Sequence, residues 1–191
     1  MEELILASAS PRRKEILSTY RSNFRVVVTD ADESAPAGTP PDKLVALLSE
    51  RKAHAALKVC GAEGVIIASD TVVFAGGEIL GKPANADEVR RMLKLLRGST
   101  HQVWSGVCVI SGGKVATGAE CTSVTMGDIT DSEIERYIAD GEPFGKAGAY
   151  AIQGKAGVFV TSIKGSFQNV VGLPVLTLNR LLKEVGEEGL V

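Results

Sequence analysis

The sequence predicts an α/β fold built on a central mixed sheet, and three observations carry that prediction. Short apolar runs and amphipathic helical stretches alternate through the first half, the pattern of parallel strands joined by helical crossovers. Two glycine pairs, Gly76-Gly77 and Gly112-Gly113, sit between extended runs as tight hairpin turns, so the later strands pair antiparallel. A chain of 191 residues that is 45% hydrophobic and 23% charged can bury a core of its own without staples. That length fits one domain, or one domain with two lobes.

The elements follow in order. Leu4 to Ala7 is an apolar run and reads as a buried first strand. Ser10 is placed as N-cap of a helix with Pro11 at its first position, where a missing N–H costs nothing. Ile16, Leu17 and Tyr20 form that helix's inward stripe. Phe24 to Val28 is a second strand, and Asp30 to Pro41 a long polar loop that could serve as lid or rim. Pro41 and Asp42 open a second helix, on which Leu44, Val45, Leu48, Ala55 and Ala56 recur at helical spacing. The run Gly64 to Ala68 ends in Ser69-Asp70 and is followed by Thr71 to Phe74 before the first hairpin turn. A helix from Ala86 to Leu96 stops at Gly98. Strands then occupy Val103 to Thr125, and Thr130 with Glu133 makes a capping box for a helix through Ala139. Two further strands are expected at Tyr150–Gln153 and Val158–Ile163, and a last helix at Leu173–Val185.

The formal charge of −2 excludes a broad polycationic surface, so neither nucleic acid nor membrane is an expected partner. If an anion is handled, a few concentrated cations must do it. The three cysteines are far apart with no CxxC pair, and only two histidines exist, which excludes a structural zinc site. The thiols are expected to be reduced and packed as small apolar groups. Met1-Glu2-Glu3 is acidic where a signal peptide is basic, and no apolar run approaches ~18 residues. A soluble, cytoplasmic protein is the expectation.

Several side chains could carry chemistry. A helix beginning at Pro11 places Arg12, Arg13 and Lys14 in its first turn, where each cation opposes the macrodipole by roughly 0.3–1 kcal/mol. Guanidinium forks beside Ser8 and Ser10 at a helix N-terminus make a phosphate cradle, though not a Walker A loop, whose glycines are missing. Asp70 closes an apolar strand, where the carboxyl ends of α/β sheets meet ligands, and can hold a hard cation or activate water. Asp30, Asp32 and Glu33 crowd the long loop as further oxygen donors. Lys52 lies on the second helix, and Gly81 and Pro83 hold the backbone around Lys82 as a presented point charge. The glycine-rich stretch Glu142 to Gly154, with Lys146 and Gln153, lets backbone N–H groups and an amide approach a ligand closely. Each feature alone is equally compatible with solvated surface. Together they point to metal-assisted phosphate-ester or anhydride chemistry, and the lack of a Ser-His-Asp arrangement or activated Cys disfavours a covalent route.

Leu6-Ala7-Ser8-Ala9-Ser10-Pro11-Arg12-Arg13, Ala68-Ser69-Asp70-Thr71-Val72-Val73, Gly81-Lys82-Pro83, the Glu142 to Gly154 stretch and Val170-Val171-Gly172-Leu173-Pro174 together resemble the Maf family. The motifs occur in the family's order from Leu4 to about Leu182. The resemblance implies one two-lobed domain over residues 1–191, with an inosine-triphosphatase-like fold, an elongated mixed sheet and a cleft. It also implies a nucleoside triphosphate pyrophosphatase that releases a monophosphate and pyrophosphate, a divalent cation (Mg or Mn) as cofactor, and a homodimer.

By the same resemblance, Asp70 is the base that prepares the attacking water and, with Glu33, the metal-associated carboxylate. Ser8, Arg12, Arg13, Lys52 and Lys82 form the phosphate-binding set. Thr71 and Gln153, with Arg12, mark the branch acting on dTTP and UTP, since the branch acting on 7-methyl-GTP carries Gln after the Asp. An amide at Gln153 can pair with the O4/N3–H edge of a pyrimidine. Two alternatives stay open, a 7-methyl-GTP or other nucleotide pyrophosphatase and a nucleotide-binding regulator of cell division with little catalysis. The chain departs from the family in reading Met126-Gly127 for Phe-Arg and Glu142-Pro143-Phe144-Gly145-Lys146 for Glu-Pro-x-Asp-Lys. A basic and an acidic position are thus both glycine, the expected trace of a lost pair.

Overall fold

The computed structural model describes residues 3–61 and 64–191, so Met1 and Glu2 of the acidic N-terminus lie outside the described residues. In chain order the elements are β1 (Leu4–Ala7), α1 (Pro11–Tyr20), β2 (Arg25–Val27), α2 (Pro41–Cys60), β3 (Val65–Ala75), β4 (Glu78–Leu80), α3 (Ala86–Leu96), β5 (Thr100–Ser111), β6 (Lys114–Met126), α4 (Asp131–Asp140), β7 (Val160–Lys164), α5 (Phe167–Val171) and α6 (Val175–Val185). Short 3-10 turns occupy Ala147–Ala149 and Lys155–Phe159. Among the described residues the strands form one seven-stranded sheet, ordered β2-β1-β3-β5-β6-β7, with β4 on β3. It is mixed, as expected: β1 runs parallel to β2 and β3, while β4 on β3 and β7 on β6 are antiparallel.

The chain divides into two compact units, one of Met1–Asp70, Ser105–Glu120 and Gly172–Val191, the other of Thr71–Trp104 and Cys121–Val171. In the first unit successive strand residues point to opposite faces, and both faces are covered. Ile5, Ala7, Ile66 and Ala68 pack with Ala53 and Ala56 of α2. Leu6, Val65 and Ile67 pack with Leu17 of α1 and with Leu178, Leu181 and Leu182 of α6. That is why β1 and the start of β3 read as unbroken apolar runs. Each fully buried aliphatic side chain here contributes roughly 1.5–3 kcal/mol. Gly106 lets α2 approach β5, because a Cβ there would lie 2.1 Å from the Val45 carbonyl oxygen.

The second unit packs Val89, Met92, Leu93 and Leu96 of α3 with Val73, Leu80, Val124, Met126, Ile134 and Tyr137. Helices α3 and α4 begin where the sequence places them. The Asn85 side chain accepts from Glu88 N at 3.0 Å, and Thr130 and Glu133 close the expected capping box.

Two expectations need correction. Tyr150–Gln153 is not a strand but the turn between the two 3-10 segments, and β7 begins at Val160 rather than Val158. The last helix is preceded by the separate short α5, with Gly172, Leu173 and Pro174 between it and α6. Gly145 adopts a φ of 73°, in the left-handed region that glycine tolerates best.

Candidate functional site

In the first unit, the Ser10 hydroxyl caps α1 by accepting from Arg13 N, with Pro11 in the first turn, as the sequence predicts. The Ser8 hydroxyl accepts from Ser10 N at 3.2 Å and from Arg13 Nη1 at 3.2 Å. Arg13 Nε donates to the Gly172 carbonyl at 2.8 Å, and the buried Ser69 hydroxyl donates to the same oxygen at 3.0 Å. The break before α6 thus turns a carbonyl toward α1 and fixes the plane of one guanidinium. Arg12, beside it on the first turn, is half-buried. Burial lowers the pKa of both arginines; at Arg13 the carboxylates of Asp70 and Glu33 oppose that effect and Arg12 adds to it.

Asp70, only 8% exposed, stands within β3, which runs on to Ala75, so it does not close its strand as the sequence suggests. Lys52, on α2, donates to Asp70 Oδ1 and lies 2.8 Å from Glu33 Oε1. One ammonium therefore holds two carboxylates that are far apart in sequence. The rest of the acidic loop is spent differently. Asp32 accepts from Ser34 N and Oγ, both at 2.9 Å, and pairs with Arg51 at 3.5 Å. The Ser34 N–H above all holds the Asp32 carboxyl below its usual range. Asp30 lines a groove with Glu50, His54 and Lys58. Of the three acidic loop residues, Glu33 is the one that the structure brings to Lys52 and, through it, to Asp70.

The second unit carries the remaining candidates. Thr71 follows Asp70 on β3. Lys82 is exposed between Gly81, whose carbonyl accepts from Gly148 N at 3.1 Å, and the buried Pro83. Gln153 is exposed at the third position of a turn closed by Gly154 N donating to the Ala151 carbonyl at 3.0 Å. Ala149 is held at a φ of 61°, unusual for a residue with a Cβ.

The pair Ser69 and Gly172, which orients Arg13, escaped the sequence reading. The only available signal was the Gly-x-Pro interruption of an otherwise helical pattern. Arg51 escaped it too, although it donates to the carbonyls of Asp32 at 3.3 Å and of Ser34 and so anchors the acidic loop.

Two carboxylate oxygens converging on one cation are hard donors of the kind that suit Mg²⁺ or Mn²⁺. Among the described residues no group of three or more His, Cys, Asp or Glu gathers to hold a metal. Mg²⁺ commonly takes one or two carboxylates and completes its shell with water and substrate phosphate. Glu33 and Asp70 therefore fit the expected cation.

A mixed α/β sheet carrying guanidinium forks at a helix start and a carboxylate–ammonium cluster between α2 and β3 defines a class, the α/β proteins equipped to bind phosphate. Residues 3–185 match the family model described as Maf-like protein. The chain belongs to that family. It is 44% identical over 184 residues to a dTTP/UTP pyrophosphatase of Bacillus cereus, covering 96% of each chain. It is 47% identical over 189 residues to one of Chromobacterium violaceum (97% of this chain, 96% of that one) and 42% identical over 188 residues to one of Pelotomaculum thermopropionicum (97% and 98%). Among solved structures, the Staphylococcus aureus Ham1 protein is similar over 66% of this chain and 73% of its own, with a TM-score of 0.49 and 15% identity. No helix among the described residues is long and apolar enough to cross a membrane.

Proposed function

We propose that this protein is a nucleoside triphosphate pyrophosphatase acting on dTTP and UTP, a cytoplasmic homodimer of single two-lobed domains. The observation that carries the reading is the Lys52 ammonium shared by Asp70 and Glu33, beside the Arg13 fork fixed by Ser8 and Gly172. The relatives named dTTP/UTP pyrophosphatase, matched over nearly their whole length, support the substrate class.

In this reading water attacks the α-phosphorus, its proton passes to Asp70, and the bond from that phosphorus to the bridging oxygen breaks to release pyrophosphate. Lys52 holds the Asp70 carboxylate in one orientation. Ser8, Arg12, Arg13, Lys52 and Lys82 bind phosphate oxygens and neutralise charge as it develops. Glu33 and Asp70 would hold a divalent cation, which when bound supplies Lewis-acid neutralisation of the phosphates. Arg12, Thr71 and Gln153 select the base, the Gln153 amide facing the O4/N3–H edge.

The test is a panel of nucleoside triphosphates with Mg²⁺ or Mn²⁺. dTTP and UTP should yield monophosphate and pyrophosphate, with slower turnover of 7-methyl-GTP. Release of diphosphate and single phosphate would overturn the reading. Asp70→Asn should abolish turnover with the fold intact, since it removes the base and keeps the shape.

A further inference from the structure

The Gln153 turn is gripped at both ends by two side chains to which no role has been given. At its start, Ala151 N donates to the Tyr137 hydroxyl at 3.3 Å. At its end, Lys155 N donates to Glu142 Oε2 at 3.1 Å and Ala156 N to Glu142 Oε1 at 3.4 Å. The two grips are one device, because the Tyr137 hydroxyl itself donates to Glu142 Oε1 at 2.9 Å. Gly154 makes room for it: a Cβ there would lie 2.5 Å from a Glu142 carboxylate oxygen. The base of the device is rigid. Tyr137 is 4% exposed and meets Phe159 edge-to-face with ring centroids 5.8 Å apart. Glu142 follows the left-handed Gly141 that ends α4.

We propose that Glu142 and Tyr137 are positioning residues for base selection, a hydrogen-bonded clamp that sets where the Gln153 amide is presented. The inference rests on the reading of Gln153 as the base-recognising residue. The physical need is plain. Gln153 is exposed on a turn between two short 3-10 segments, with no strand ladder to hold it. A reading group displaced by about 1 Å can lose as much as 10²-fold in rate, so an unsupported turn would discriminate poorly. A carboxylate accepting two backbone N–H groups and a phenol O–H supplies that support in charge-assisted bonds. Glu142 touches no reacting atom in this account; it acts through the turn.

Tyr137→Phe is the cleanest probe, because it removes the hydroxyl and keeps the ring against Phe159. Glu142→Gln is the second, and Gln153→Ala the reference. For each, kcat and KM are measured with dTTP and with dCTP in the presence of Mg²⁺, together with the melting midpoint and amide hydrogen exchange at Ala151, Lys155 and Ala156. The clamp predicts a KM for dTTP raised about tenfold, with dCTP changed far less, so that preference narrows as in Gln153→Ala. It also predicts faster exchange at those three amides. Equal losses on both nucleotides would reduce the pair to ordinary structural support and overturn the proposal. Unchanged preference in both clamp variants, with Gln153→Ala narrowing it, overturns the clamp and leaves the Gln153 reading standing. A Gln153→Ala enzyme with unchanged preference removes the Gln153 reading, and the proposal falls with it.

Discussion

Arg13 Nε donates to the carbonyl oxygen of Gly172 at 2.8 Å, tying the first turn of α1 to the residue that separates α5 from α6. With Nη1 on the Ser8 hydroxyl at 3.2 Å, two anchors set the plane of this guanidinium. That plane fixes the direction in which the fork is presented. A lysine ammonium is a single point and cannot keep both anchors while presenting a fork. Arg13→Lys should therefore lower kcat/KM for dTTP by about 10- to 100-fold. Its fold should stay intact by circular dichroism, since Ser69 still donates to Gly172. Near-wild-type kinetics in Arg13→Lys would show that the fork geometry is dispensable.

Lys52 holds two carboxylates, so its loss has two consequences that a double substitution separates. Its side chain is 17% exposed and that of Asp70 is 12% exposed, which leaves little water to replace the ammonium. Lys52→Met should destabilise the fold by on the order of 3 kcal/mol in urea unfolding and lower turnover by about 10²-fold or more. Adding Asp70→Asn removes the stranded charge. Stability should then recover while turnover stays lost, a coupling that a double-mutant cycle measures directly. Additive losses of stability would mean that the two groups do not interact in solution.

Much of the fold was legible because local chemistry and tertiary context agree. Ser10 with Pro11, and Thr130 with Glu133, each answer backbone donors that a helix start leaves open. Tyr150–Gln153 was misread because Tyr and Ile favour strands, whereas its backbone is taken by the Tyr137 hydroxyl and by a turn bond within it. No periodicity encodes a partner of that kind. The candidate site divides the same way. Residue type after an apolar run or at a helix start exposed Asp70 and Arg13, while the continuation of β3 past Asp70 and the pairing of Lys52 with it need the packing of α2 on the sheet. In the acidic loop the family resemblance singles out Glu33, but residue type alone does not separate it from Asp32, which the fold turns back on Ser34.

Gly106 is a packing requirement with a sharp consequence. A Cβ there would lie 2.1 Å from the Val45 carbonyl oxygen, 2.4 Å from its carbon and 2.9 Å from Ala46 N, all backbone atoms of α2. No rotamer change relieves such a clash, so α2 must move off β5. Gly106→Ala should cost about 3 kcal/mol or more, at the upper end for overpacking. Because α2 carries Lys52, turnover should fall with stability, unlike in a surface variant. An unchanged urea midpoint would refute the close approach of α2 to this strand.

The buried ring of His101 sets a pH limit on stability. It is 2% exposed, with Nε2 2.7 Å from the Tyr150 hydroxyl and Nδ1 without a hydrogen-bond partner. Burial pushes its pKa down to about 4 from the ordinary 6.5, because a charged ring would lose its hydration. The unfolded chain takes up a proton at His101 below pH 6.5, and the folded chain does not until about pH 4. Since the unfolded state binds more protons across that window, stability falls with acidification, by up to about 1.4 kcal/mol per pH unit from this group. Above pH 6.5 both states hold the ring neutral and the effect vanishes. His101→Gln removes the titration and retains an amide able to meet Tyr150. Urea unfolding at pH 7.5, 6.0 and 5.0 should therefore show a smaller acid-induced loss in the variant, all other titrating groups being common to both proteins. Parallel losses in the two would mean that His101 is already solvated in the folded state.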